Sequence, residues 1–227
     1  MIGPIFKKRV AITLGSQTAA STSPAPAAVV QISHALPRLA RRLSAATHPR
    51  VLDLGSVVGG NLQFFIDLNC KVTADDLSRP VETVLPDPGE KAGADWKQPA
   101  APRLDYPADS FEAVLAWDCF DFLAPKEARD FSRELHRIVK AGGIVMAYFT
   151  SRETERREPS RRFRILAADR IEWIPVGVSR SLRHVYQNRD IERMFEGFRT
   201  HFAVVMQNGN REILLEKKAP PVPRPTS

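Results

Sequence analysis

The stretch VLDLGSVVGGN, residues 51–61, decides the fold. Val51, Leu52 and Leu54 read as a short buried strand, and GGNLQFFIDLN, residues 59–69, reads as a helix with Leu62, Phe65 and Ile66 facing inward. A strand that turns into a helix through glycines brings free backbone N–H groups to a ligand and lets the chain approach it closely. Gly55, with Gly59 or Gly60, can do this here. The dinucleotide fingerprint G-x-G-x-x-G sets its second glycine against a pyrophosphate, but that place holds Val57, and no G-x-x-x-x-G-K-S/T occurs. Phosphate cradling is not expected, which leaves a ligand whose nucleoside end is uncharged.

Downstream, CKVTADDLS (70–78) reads as a second strand ending in Asp75 and Asp76, about 20 residues after the turn, where a carboxylate can accept hydrogen bonds from both hydroxyls of a ribose. SRPVETVL reads as a helix entry capped by Ser78. The Pro/Gly-rich PDPGEKAGADWKQPAAPR, residues 86–103, obscures any third strand. Order returns with SFEAVLAWDCFDFL, a buried strand and its exit loop. PKEARDFSRELHRIVKAGG follows as a helix begun by proline and closed by glycine, then the strand IVMAYF. Strand and helix alternate, which implies a parallel sheet covered on both faces, with a ligand at the carboxyl ends of its strands. The rhythm breaks at the end: NRDIERMFEGF is a helix, and THFAVVMQNGNREILLEKK is two strands joined through Asn208-Gly209, the pair favoured in a type I′ hairpin turn.

Upstream, Val29, Ile32, Leu36, Leu39 and Leu43 share one helical stripe, so residues 27–46 are expected to form a helix lying on the domain, with Pro37 its kink or start. Its Arg38, Arg41 and Arg42 fit a wet basic edge. Residues 1–27 and 219–227 are rich in small residues or proline and too poor in apolar ones to offset their ordering entropy. The expected organisation is a partly disordered segment 1–27, one domain over 28–218 and a disordered tail 219–227.

The whole chain of 227 residues is 43% hydrophobic and 26% charged, a globular balance, and no apolar run approaches the roughly 20 residues that cross a bilayer. VAITL near the start is shorter than a secretory core of roughly 7 to 15 residues, so a cytoplasmic protein is expected. Cys70 and Cys119 lack Cys or His neighbours at ligand spacing, so neither a metal nor a disulfide is expected. A net charge of +7 and a pI near 9.7 suit a polyanion partner, but the cations are scattered and Glu153, Glu155 and Glu158 dilute the densest run. A solvated basic face is favoured over a nucleic-acid surface.

Taken in order, VLDLGSVVGGN, VTADDLS, DYPADSFEAVLAWDCFDFL and ELHRIVKAGGIVMAYF, followed by a hairpin, resemble the successive motifs of class I S-adenosylmethionine-dependent methyltransferases. The resemblance covers roughly residues 48–150, and the hairpin near 198–217 matches the family's reversed last strand. It implies a Rossmann-like three-layer αβα sandwich whose mostly parallel, seven-stranded sheet ends in an antiparallel strand. It also implies S-adenosyl-L-methionine as cofactor. Carried over by position, Asp53, Gly55, Ser56 and Gly59 match the cofactor turn, within which Val57 is also expected to meet the cofactor, Asp76 matches the ribose-binding acid, and Trp117-Asp118 the strand exit lining the methionine side. KAGG matches the family's PGG turn with Ala141 in place of proline.

Val57 departs from the family's glycine. If that position needed a positive φ, a β-branched residue would be strained, so the turn is expected to take an ordinary conformation or to shift. The departure supports an alternative: a catalytically degenerate domain that binds the cofactor or a partner. Another Rossmann-like enzyme is a third reading. Methyl transfer is an in-line displacement that depends on approach geometry, and a dedicated catalytic residue is not implied. Asp118, Tyr148, His184 and Tyr186 are within the range of candidate bases, yet each has a packing or capping role open to it; His184 and Tyr186 alternate as strand residues do, and His136 reads as packing. The insert TSRETERREPSRRFRILAADRIEWIPVGVSRSLRHVYQ, residues 150–187, is expected to contact the acceptor, for which a small molecule is favoured.

Overall fold

The computed structural model describes residues 28–77, 103–151, 158–180 and 182–219. The central sheet has six described strands in the order β3-β2-β4-β5-β9-β8: β2 Arg50–Asp53, β3 Lys71–Ala74, β4 Phe111–Trp117, β5 Val139–Thr150, β8 Phe198–Val205 and β9 Asn210–Lys217. β3, β2, β4 and β5 are parallel; β9 runs antiparallel to β5 and β8 antiparallel to β9. The helix entry at 78–85 and the stretch that obscured the third strand, through residue 102, lie outside the described residues.

The sheet is parallel because β4 is apolar on both faces, and its alternate residues feed two cores. Leu52, Val114, Ala116, Val145 and Ala147 meet Phe131 and Leu135 of α3 (Pro125–Ile138) and Ile191 and Met194 of α4 (Asn188–Met194). Val51, Ala113, Leu115 and Met146 meet Leu36, Leu39 and Leu43 of α1 (Leu36–Ser44) and Phe65 of α2 (Gly59–Asp67). This is a Rossmann-like αβα sandwich with a reversed last strand. Among the described residues no helix is long and apolar enough to cross a membrane.

Several sequence expectations are corrected. Val29 and Ile32 do not continue the α1 stripe. Val29–Ile32 is a strand, β1, paired antiparallel with β7 (Arg170–Arg180), which pairs in turn with β6 (Glu158–Ala167). The helix starts later because the carboxylate of Glu212, a fully buried β9 residue, accepts hydrogen bonds from the N–H groups of His34 (2.7 Å) and Ala35 (2.9 Å), while Ser33 Oγ takes that of Leu36. The insert contributes two of the three strands of this second sheet, neither of them expected from the sequence. In α2, Phe65 is buried as expected, but Ile66 is exposed and Asn61 is buried in its place. α3 ends at Ile138 without a glycine. Gly142 (φ +74°) and Gly143 lie within β5, where a Cβ on Gly143 would stand 2.8 to 3.0 Å from Val139, Lys140 and Glu112.

The β8–β9 connection is a hairpin, but not type I′. Gly209 alone of the pair has positive φ (+80°). The Gly209 N–H to Met206 O bond closes an ordinary turn, with the glycine as the left-handed residue after it. Residues 182–187 are irregular, so His184 and Tyr186 are not strand residues.

Candidate functional site

The carboxyl ends of β2, β3 and β4 converge. Asp53, the last residue of β2, is 2% exposed, and its carboxylate collects three donors: Gly55 N–H at 3.0 Å and Trp117 Nε1–H at 2.6 Å on Oδ1, and Asn61 Nδ2–H at 3.2 Å on Oδ2. Burial pushes the Asp53 carboxyl above its usual range, against the pull of these three bonds, and the nearby Asp76 charge pushes the same way. The ribose-acid candidate thus lies close enough to the turn for its charge to act on Asp53. Asp75 is engaged differently: its N–H donates to Asp53 O, and its carboxylate accepts the Tyr106 hydroxyl at 3.2 Å.

The turn itself is unstrained. Neither Gly55, Val57, Gly59 nor Gly60 has positive φ, and Val57 is 60% exposed. Gly55 is needed for closeness, since a Cβ there would stand 2.6 Å from Trp117 Cδ1. The strain sits across the turn in Trp117, an L-residue at φ +44°. Its indole covers Gly55 and stacks on Phe163 of β6, with centroids 4.9 Å apart and planes at 7°. Tyr148 lies beside both, 5.5 Å from Phe163 and 6.2 Å from Trp117.

The insert thus packs directly on the β2–α2 turn. Asn61 joins them, donating to Phe163 O (3.1 Å) and accepting from Ile165 N–H (2.8 Å). Two of the insert's arginines are engaged within the hairpin: Arg161 lies 4.9 Å over the Trp173 ring, and Arg164 pairs with Glu172 at 2.5 Å.

Of the candidate bases, the two tyrosines are committed elsewhere. Tyr148 donates to Glu212 at 2.6 Å and Tyr186 to Leu123 O at 2.7 Å, and burial, with carboxylates nearby, holds both phenols protonated well above their ordinary range. His184 packs edge-on to Tyr186 at 4.7 Å, and His136 edge-on to Phe198 at 5.5 Å. Asp118 lies at the strand exit, at the start of the 3₁₀ turn Cys119–Phe122. Its neighbour Asp121, which sequence reasoning passed over, is the more perturbed group: burial and the Asp118 charge raise it to about 7, although Thr150 donates both N–H and Oγ1–H to it. The paired aspartates of DCFD were the available signal. Nothing in the sequence singled out Phe163, and only its place beside the glycines marked Asn61. Both cysteines are free thiols.

Residues 51–143 match the family model described as a methyltransferase domain. The stretch from β2 into β5 is thus similar to a methyltransferase domain, and it is carried on a Rossmann-like sandwich. No curated protein matches the sequence. Among solved structures, a type 11 methyltransferase described as putative, from Sulfolobus solfataricus, is similar at 14% identity and a TM-score of 0.50, over 86% of this chain and 98% of that one. The [4+2]-cyclase SpnF is equally similar in shape, at 16% identity and TM-score 0.50, over 82% of this chain and 80% of its own. Both likenesses are likenesses of fold, and a cyclase among them shows that this fold hosts more than one reaction. The family match favours methyl transfer over the degenerate alternative, and the methyltransferase domain it spans contains the turn, Asp76 and Trp117.

Proposed function

We propose that the domain binds S-adenosylmethionine across the carboxyl ends of β2, β3 and β4 and transfers its methyl group to a small-molecule acceptor. The observation that carries this reading is the convergence of Asp53, Gly55, Asp76 and Trp117 on one edge, with two carboxylates and no valine strain in the turn. The residues fit the cofactor's chemistry. Asp76 is a carboxylate able to accept from two ribose hydroxyls, Asp53 is a buried carboxylate suited to an ammonium, and Gly55 permits backbone approach. When bound, the cofactor supplies an electrophilic methyl on a sulfonium. The protein's part is to align the acceptor and exclude water.

The acceptor enters, on this reading, between the β4 exit and the β6–β7 hairpin, where Asp118 and Asp121 stand. An Asp121 carboxyl with a value near 7 holds or releases a proton at neutral pH, which suits an acceptor that loses one on methylation. A single domain over residues 28–218, working in the cytoplasm, belongs to the same proposal.

Titration calorimetry tests it. S-adenosylmethionine and S-adenosylhomocysteine should bind with micromolar constants, about −8 kcal/mol. Heat with NAD and none with either sulfur ligand would replace this function with another Rossmann-like one.

A further inference from the structure

On the reading of the turn as the S-adenosylmethionine site, one of its own side chains already stands where the ligand must come. The Trp117 indole is 1% exposed, donates to Asp53 Oδ1, and lies so close over the turn that not even a methyl group fits on Gly55. A cofactor using the close approach at Gly55 and the charge of Asp53 needs the same space. The indole is held there at a cost, because φ at Trp117 is +44°, where an aromatic L-residue is rare. What offsets the strain is the Asp53 bond on one edge and the Phe163 ring on one face.

Phe163 does not belong to the methyltransferase match of residues 51–143; it comes from the hairpin of the insert. The hairpin is fastened to the turn through Asn61, whose amide binds Asp53 on one side and the backbone of Phe163 and Ile165 on the other. The clamp and the plug thus share one anchor, and a hairpin that lifts takes away the stacking partner and loosens Asn61 together.

We propose that Trp117 and the β6–β7 hairpin are a gate on the cofactor turn. In the closed arrangement the indole N–H stands in for the ligand's donor on Asp53 and Phe163 pins it; in the open one the hairpin lifts, the indole swings off Gly55, and the amino-acid end of the cofactor takes its place. The exchange is favourable at Asp53, because a buried carboxylate gains more from an ammonium than from a neutral indole N–H. Apparent affinity is then the intrinsic affinity reduced by the open fraction, so weakening the clamp tightens binding.

The test uses the full chain with Trp96→Phe and Trp173→Phe, leaving Trp117 as the only indole, titrated with S-adenosylhomocysteine by calorimetry and fluorescence, with and without Phe163→Ala. The expected result is a shift of emission to longer wavelength and greater acrylamide quenching on binding, with Phe163→Ala binding severalfold tighter and its free form already partly shifted. Binding heat without any change in Trp117 emission, or binding no tighter in a folded Phe163→Ala protein, overturns the gate and leaves the cofactor reading standing. No heat with any of the proteins overturns both. Should Phe163→Ala fail to fold, the emission shift with Phe163 in place still decides.

Discussion

Two buried carboxylates stand at the two ends of one aromatic layer, and they have opposite characters. Glu212 accepts the Tyr148 hydroxyl, Asp53 accepts the Trp117 indole N–H, and the two rings lie 6.2 Å apart at 9° with Phe163 against both. Glu212 is held by Ser33 and by two backbone N–H groups at the start of α1, donors with no other acceptor to turn to. Asp53 has one backbone donor, and its other two are side chains, one of them on a strained residue. Equal burial therefore does not mean equal function. What differs is whether the donors can leave, and only at Asp53 can a ligand replace one.

The hardest blow to this contrast is at Glu212. Glu212→Ala should cost about 3 to 5 kcal/mol, since it strands a helix start, the Ser33 hydroxyl and the Tyr148 phenol in a dry place at once. Urea unfolding measures it. A loss below about 1 kcal/mol would mean that water reaches those donors, and that the Glu212 end is as exchangeable as the Asp53 end.

Asp121 sharpens the contrast through pH. Burial and the Asp118 charge raise its carboxyl to about 7 in the folded chain, from the 3.8 of a free aspartate, so the folded state binds the extra proton between those values. Stability contributed by Asp121 is full below about pH 4, declines as pH rises toward 7, and changes no further above it. Melting curves of wild type and Asp121→Asn should diverge along this window, the variant losing less as pH rises. Parallel curves would show that Thr150 binds an ordinary ionised aspartate.

The alternation of strands and helices, the reversed end of the sheet and the place of Asp75 and Asp76 just past the second strand were legible in the sequence because each depends on local pattern: period, turn residues, and the length of one strand–helix–strand unit. The failures share a different cause. Val29 and Ile32 match a helical stripe, but the start of α1 is set by Glu212, 178 residues beyond His34, and no local signal carries that. Phe163 and Asn61 meet across a sequence separation of about a hundred residues. The insert's strands are not legible in the sequence because four of the ten β6 residues are charged and Pro175 and Gly177 interrupt β7.

Asp75 and Asp76 divide the site more finely. Removing a carboxylate that holds ribose hydroxyls should weaken binding about tenfold, so Asp76→Ala should raise the dissociation constant of S-adenosylhomocysteine by that factor with the fold intact. Asp75→Ala should do less to affinity, because its carboxylate is taken by Tyr106. A larger effect at Asp75 would move the ribose contact one residue back along the chain.

The smallest effect is expected at Val57, where the family's glycine is missing. Val57 has an ordinary negative φ and is 60% exposed, so the turn does not ask for a glycine and little apolar contact is at stake. Val57→Gly should cost about 0.5 to 1 kcal/mol, because a glycine in the unfolded chain has more conformations to lose. Cofactor affinity should hardly change, since the close approach is made at Gly55, two residues away, and the indole that covers it is not touched. Side-by-side titration of wild type and Val57→Gly checks this. A severalfold tighter glycine variant would mean that valine itself crowds the ligand. The obstruction at the turn would then lie at Val57 rather than at Trp117, and Asp53 would lose the exchange that sets it apart from Glu212.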